Sequence, residues 1–234
     1  MRDAAPRRTW VEQVMGMPIS VLARGDGAQS SHAADAVSCV MAELRAVDGR
    51  FSLYQEGSEL SRLARGELAL DACHPEVRDV LLMCEEATRL TRGLFDPVTP
   101  DGTWDPSGLV KGWAVERAAR HLAAVSELDW CLNGGGDVVV LTPSGEPFGV
   151  GVQDPRDGQA VLTVLATTTG AVATSGTAAR GAHLYDPRTG GPSCSPLLSV
   201  TVAGPSLRVA DVLAAAPGYL GYAVGGAGQL EEYP

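Results

Sequence analysis

Aromatic side chains make up only 5% of this 234-residue chain, so its core must be built from Val, Leu and Ala. Basic charge is also scarce: 18 Lys and Arg against 28 Asp and Glu leave a net charge of -10. That balance argues against nucleic acid or an anionic membrane as partner. A phosphate-containing ligand stays possible, because backbone amides or a metal can hold phosphate inside an acidic protein. No stretch reaches the roughly 18 to 20 apolar residues of a membrane span. The first residues, Met1 to Trp10, have no apolar core of the kind a signal peptide needs. The five cysteines (Cys39, Cys73, Cys84, Cys131, Cys194) form no CxxC pair. They read as free thiols in a reducing compartment, which makes the cytoplasm the expected location. A Cys/His cluster for zinc, a GxSxG elbow and a GxxxxGK[ST] phosphate loop are all missing.

What is present is a series of short periodic segments and 28 glycines. Trp10 to Ala23 has strand character, with Gly16 and Pro18 marking a bend. Val37, Val40, Met41, Leu44 and Val47 recur at helical spacing, which predicts a helix from Ser30 to Asp48. Ser58 is placed to cap a short helix through Leu63. Pro75 to Thr91 is the clearest amphipathic helix, and Gly93 sits where its cap belongs. Gly93 to Leu109 reads as irregular, with Asp96 a turn residue, and Val110 to Val125 as a further helix. Asp129 to Leu141 reads as a strand interrupted by three glycines. Phe148 to Val152 and Ala160 to Ala166 form an expected hairpin. Short strands follow at Ala171 to Ser175, His183 to Tyr185 and Leu198 to Ala203, and a last helix at Arg208 to Ala216. Interleaved strands and helices without a regular βαβ rhythm predict an α+β fold with mixed or antiparallel sheets. The length suits one domain over 1–234.

Three loops are richer in polar and glycine residues than a connection requires. The first, Asp105-Pro-Ser107-Gly-Leu-Val-Lys111, opens a helix. Its backbone N–H groups and Lys111 suit a pyrophosphate, or Asp105 and Ser107 merely cap the helix and Lys111 is solvated. The second is Asn133-Gly134-Gly135-Gly136-Asp137. Consecutive glycines cost backbone entropy and make sense where a ligand or another backbone comes close, or in a plain bulge. Asp137 could orient a neighbouring loop or bind a ribose hydroxyl. The third runs from Thr174-Ser175-Gly176 to His183-Leu-Tyr-Asp186-Pro-Arg-Thr-Gly190. It offers a base, a carboxylate and a cation around a tight turn. The other three histidines (His32, His74, His121) fall in helices or at their edges. Asp211, in an otherwise apolar helix, must pair with a base or hold a metal. Mg²⁺, which takes hard oxygen ligands and substrate phosphates, would suit it.

Taken in order, these segments resemble the ApbE family of FAD:protein FMN transferases. The resemblance runs from about residue 10 to 221, that is 10–221, and is most specific in DPSGLVKGWAVERAA, LNGGGDV and HLYDPRTG. It implies a T-fold-related architecture with the active site between two lobes, FAD as substrate and Mg²⁺ as cofactor. The partner implied is an acceptor protein whose Thr or Ser hydroxyl, in a flavinylation motif, receives FMN as AMP leaves. Tyr54 would lie against the flavin or adenine, and Glu59 and Glu116 would contact adenosine. Asp105, Ser107 and Lys111 would cradle the pyrophosphate. Met15, Gly134, Gly135, Asp137, Thr174 and Ser175 complete the implied FAD-binding set. Asp211 with the backbone carbonyl near Val110 would hold the metal, and His183 would be the base. The chain departs from the family pattern at Ala215, where a threonine usually supplies a second metal ligand. An FAD pyrophosphatase and a non-catalytic FAD-binding protein are the alternative readings of the same site.

Overall fold

A computed structural model of the chain describes residues 5–126, 128–176, 185–186, 191–192, 197–216, 222–224 and 230–232. Its frame is an eight-stranded sheet in the order β1-β2-β3-β4-β7-β10-β11-β12, every neighbouring pair antiparallel. The strands are β1 (Arg7–Val14), β2 (Met17–Arg24), β3 (Asp129–Gly134), β4 (Asp137–Leu141), β7 (Thr169–Gly176), β10 (Ser199–Gly204), β11 (Tyr222–Val224) and β12 (Leu230–Glu232). β5 (Phe148–Asp154) and β6 (Asp157–Thr167) form a separate hairpin, and β8 (Tyr185–Asp186) pairs with β9 (Gly191–Pro192). The helices are α1 (Ser31–Phe51), α2 (Glu59–Ala64), α3 (Pro75–Leu90), α4 (Ser107–Ala123) and α5 (Leu207–Ala215). This is the α+β class expected, with the sheet antiparallel throughout.

Alternation explains which face is buried. Ile19, Val21 and Ala23 of β2 are fully buried and join Trp130 and Leu132 of β3 in one cluster with α1, α4 and α5. Val138, Val140, Val172, Phe148 and Val152 are buried without belonging to that cluster. The hairpin β5–β6 is tied down by a polar knot. Arg24 of β2 pairs with Asp129 at 2.8 Å, both nearly inaccessible, and its guanidinium lies over the Phe148 ring. Asp129 also accepts from Ser144 N and Oγ. Asp129→Asn keeps the shape but leaves the buried guanidinium only the largely exposed Glu146 carboxylate, 3.5 Å away, as counter-charge. It is expected to lose about 2–3 kcal/mol in urea denaturation; a loss below about 0.5 kcal/mol would make the pair ornamental.

The predicted elements recur with shifted ends. Ser58 accepts from a backbone N–H at the helix start it is expected to cap, and Ser30 does the same at the start of α1. Ser206 caps α5, which begins at Leu207, one residue before the expected Arg208. The single bent strand expected from Trp10 to Ala23 is two strands joined by Met15 and Gly16, both at positive φ (56° and 70°). Two such residues make the turn type whose twist matches a two-stranded ribbon. The three glycines likewise separate β3 from β4, with Gly135 and Gly136 at φ 63° and 104° forming the two-residue turn. Helix α4 begins one turn earlier than its apolar spacing suggested. Asp105 Oδ1 accepts from Ser107 N, and Val110 N bonds Pro106 O, so Ser107-Gly108 already belongs to the helix. Asp96 Oδ1 accepts from Val98 N, the turn role expected of it.

Candidate functional site

A cleft of about 550 Å³ opens where three separately coded pieces meet. The β1–β2 turn supplies Met15, Gly16 and Met17. The end of α1 and the segment after it supply Asp48, Phe51 and Ser52 to Gln55. The start of α4 supplies Asp105, Ser107, Val110 and Lys111. The volume lies within the range of small-molecule sites. Six residues singled out from sequence thus line one cleft: Met15, Tyr54, Asp105, Ser107, Val110 and Lys111. Tyr54 is 99% exposed, an open aromatic face at its rim.

Behind the cleft wall, Lys111 carries the charge inward. Its Nζ lies 2.6 Å from Asp137 Oδ2 and 3.1 Å from Asp211 Oδ1. The lysine is therefore not solvated, and Asp137 meets it rather than open solvent. Asp211, 2% exposed, is also held by Gly112 N at its Oδ2, 2.9 Å away. Asp137, 1% exposed, accepts from Thr174 N at Oδ1, 2.9 Å away, which orients it against β7. Burial pushes Asp211 up to about 7; Lys111 pulls it down and Asp137 adds to the rise. Burial works against the Lys111 charge, but the two carboxylates more than offset it and hold its pKa above the ordinary lysine value.

The glycines around this cluster are required by contact. A Cβ on Gly112 would lie 2.8 Å from Asp211 Cβ and 2.9 Å from Leu207 O. One on Gly134 would meet Val115 at 2.5 Å, and one on Gly135 would meet Met17 Sδ at 2.5 Å. Gly135 so seats Met17, itself part of the cleft, and Gly134 makes room for Val115 of α4. Thr174 continues the polar line, its Oγ1 2.9 Å from Thr201 Oγ1, and Ser175 stands opposite Val200 in the β7–β10 register.

Other residues sit elsewhere. Glu59 accepts from His74 N at 2.6 Å and joins the start of α2 to that of α3. Glu116 accepts from Ser206 Oγ and Arg208 N, both at 2.8 Å, at the N-terminus of α5. Neither lines the cleft. His183 lies outside the described residues, as does most of its loop. Asp48 and Gln55, which are not among the residues expected from the sequence, bond to each other at 2.7 Å on the cleft wall. Burial raises Asp48 above the usual carboxylate range against the pull of Gln55. One signal was available: a carboxylate in the last turn of a helix opposes the helix dipole.

Among the described residues, no group of three or more His, Cys, Asp or Glu gathers. No helix among them is long and apolar enough to cross a membrane. Cys39, Cys73, Cys84 and Cys131 are free thiols, as expected; burial lifts Cys84 to about 12 and Cys131 to about 11.

The fold is shared with solved structures. The ApbE protein of Thermotoga maritima matches with a TM-score of 0.80 at 19% identity, over 97% of both chains. The flavin transferase ApbE of Vibrio cholerae gives 0.75 at 21% identity, over 90% of this chain and 86% of that one. The flavinyl transferase ApbE of Pseudomonas stutzeri gives 0.75 at 21%, over 92% and 85%. In sequence, an FAD:protein FMN transferase of Vibrio cholerae is 31% identical over 121 residues, 47% of this chain. That match spans 36% of the relative's length. The model of the ApbE family matches residues 15–102 and 99–227, nearly the whole chain, and the chain belongs to the ApbE family.

Proposed function

We propose that this chain is an FAD:protein FMN transferase, which attaches the FMN half of FAD to a Thr or Ser hydroxyl of an acceptor protein. The observation that carries the reading is the cleft itself: a site of small-molecule size whose helix N-terminus and Lys111 face one wall, backed by two buried carboxylates. The start of α4 brings the positive end of a helix dipole to the cleft, and Lys111 adds a cation, so a pyrophosphate is the ligand they suit. Tyr54 at the rim would lie against the flavin or adenine. The acceptor oxygen forms a bond to the FMN phosphorus as the anhydride bond to AMP breaks. The hydroxyl proton passes to His183, the base that the family resemblance implies. Lys111 stabilises the negative charge on the phosphate oxygens during that exchange, which is where such reactions gain most of their rate.

Mg²⁺ fits the residues present. Asp211 is a buried hard-oxygen donor, and two carboxylates share the one Lys111 ammonium there. Asp211, with the backbone carbonyl of Val110, is the set that would hold it. Bound there, the metal would withdraw charge from the phosphates. The free thiols fit a reducing compartment such as the cytoplasm.

The test is incubation of the whole chain with FAD and Mg²⁺, with and without a peptide carrying a Thr acceptor, followed by AMP and peptide mass. The expected result is one FMN gained per peptide, with AMP released in equal amount, and both lost in His183→Ala. AMP without a mass gain would replace the transferase by a hydrolase, and FAD bound without AMP would leave only a binding protein.

A further inference from the structure

Two carboxylates here are each fixed by a backbone amide at one oxygen and aim the other at a single point. Asp211 is held by Gly112 N at Oδ2, leaving Oδ1 inward; Asp137 is held by Thr174 N at Oδ1, leaving Oδ2 inward. The two inward oxygens lie 3.1 and 2.6 Å from the same Lys111 nitrogen. Beyond that ion pair, Asp137 Oδ2 makes no hydrogen bond although it is inaccessible to water. Orientation of carboxylates by outer hydrogen bonds, with free oxygens converging, is how protein ligands are prepared for a cation. The second ligand that the family resemblance implies is missing, since Ala215, one turn after Asp211 on α5, has no oxygen in its side chain.

We propose that Asp137 joins Asp211 and the Val110 carbonyl in the divalent-cation site of this chain, and that the Lys111 ammonium holds the site until a metal displaces it. Asp137 then replaces the ligand that Ala215 cannot supply. Lys111 has somewhere to go. Its side chain is 15% exposed and lines the cleft, so the ammonium can leave the carboxylates for the phosphates of a bound dinucleotide. One residue thereby serves as counter-ion in the metal-free protein and as phosphate clamp in the loaded one, which couples metal binding to FAD binding. Gly112 is part of the arrangement, since a Cβ there would lie 2.9 Å from Asp211 Oδ2. The inference rests on the proposed use of metal and FAD, but its test needs no turnover.

The probe is Mn²⁺ alone, titrated into the metal-stripped full chain and followed by the electron paramagnetic resonance of the free ion. Lys111→Met removes the competing ammonium and is expected to bind Mn²⁺ at least about tenfold more tightly than the unaltered chain, a gain of 1.4 kcal/mol or more. Asp137→Asn is expected to weaken binding at least tenfold, and Ala215→Thr to change it less than threefold. A structural role for Asp137 would not make Lys111→Met bind metal better. Unchanged affinity in both Lys111→Met and Asp137→Asn overturns the proposal, as does a tenfold gain in Ala215→Thr. Circular dichroism verifies folding. If the two cluster variants do not fold, the Ala215→Thr titration decides alone, since residue 215 is a half-buried helix end. FAD binding, read separately by quenching of flavin fluorescence, tells the two hypotheses apart. Loss of FAD binding with the Mn²⁺ pattern intact removes the transferase reading and leaves the metal site standing. FAD bound without that pattern does the reverse.

Discussion

Lys111→Met is expected to lower FMN transfer by roughly 10²–10³-fold and to destabilise the metal-free chain by about 3–5 kcal/mol. The methionine keeps the apolar stem, so the loss isolates the charge. Asp137 and Asp211 are then buried together without a counter-ion, the situation in which breaking an ionic cluster costs most. The effect has a definite pH sense. Burial already pushes Asp211 up to about 7, above the carboxylate value of an unfolded chain. A carboxyl raised in the folded state favours folding when protonated, so its contribution is present at low pH and is lost as pH rises from about 4 to about 7. Without Lys111 only the Gly112 amide still opposes the raising forces. The deficit in urea denaturation, measured with a chelator, is therefore expected to be smaller at pH 5 than at pH 8. An equal deficit at both would mean that the lysine contributes packing and not charge.

Gly112→Ala is expected to reduce transfer by about 10²-fold and stability by about 1–3 kcal/mol. Intrinsic propensity alone points the other way, since Ala is the better helix residue by about 1 kcal/mol. Contact decides: the added carbon would lie 2.8 Å from Asp211 Cβ and 2.9 Å from the Leu207 carbonyl, and a backbone oxygen cannot rotate aside. Helices α4 and α5 must part, and Asp211 moves with α5. Gly49→Ala is the control, because a Cβ on Gly49 in α1 meets nothing within 4 Å. It is expected to stabilise by up to about 1 kcal/mol. If Gly112→Ala behaves like Gly49→Ala in stability and transfer, the close approach of the two helices has no bearing on the site.

Much of the fold was legible because burial imposes a period on the sequence. The apolar residues of α1 and α3 fall on one face at helical spacing, and Ser58 caps its helix as placed. Turns were legible only where their residues are typical. Phe148 to Ala166 reads as a hairpin because Asp-Pro-Arg-Asp-Gly is a turn by composition. Met15 is not a residue that favours positive φ, so the β1–β2 hairpin read as one bent strand. Apolar spacing starts α4 at Val110 because Ser107-Gly108 has the composition of a loop, whereas Asp105 Oδ1 holds Ser107 N and draws both into the helix.

The candidate site divides along the same line. Lys111, Asp137 and Asp211 each stood out alone: a cation entering a helix, an acid after glycines, an acid in an apolar helix. Asp48 and Gln55 did not, because an exposed-looking helix end and a polar loop are commonplace. By itself the sequence determined the class of elements, the ApbE resemblance and the residues that carry unusual chemistry, since each is written in local spacing or in an expensive local choice. Only the tertiary structure decided that Lys111 stands between Asp137 and Asp211. That meeting joins α4, the β3–β4 turn and α5 across the chain. It exists because Gly112 lets two helices touch and backbone amides aim both carboxylates inward. Such convergence depends on distances between segments, which no local pattern of residues encodes.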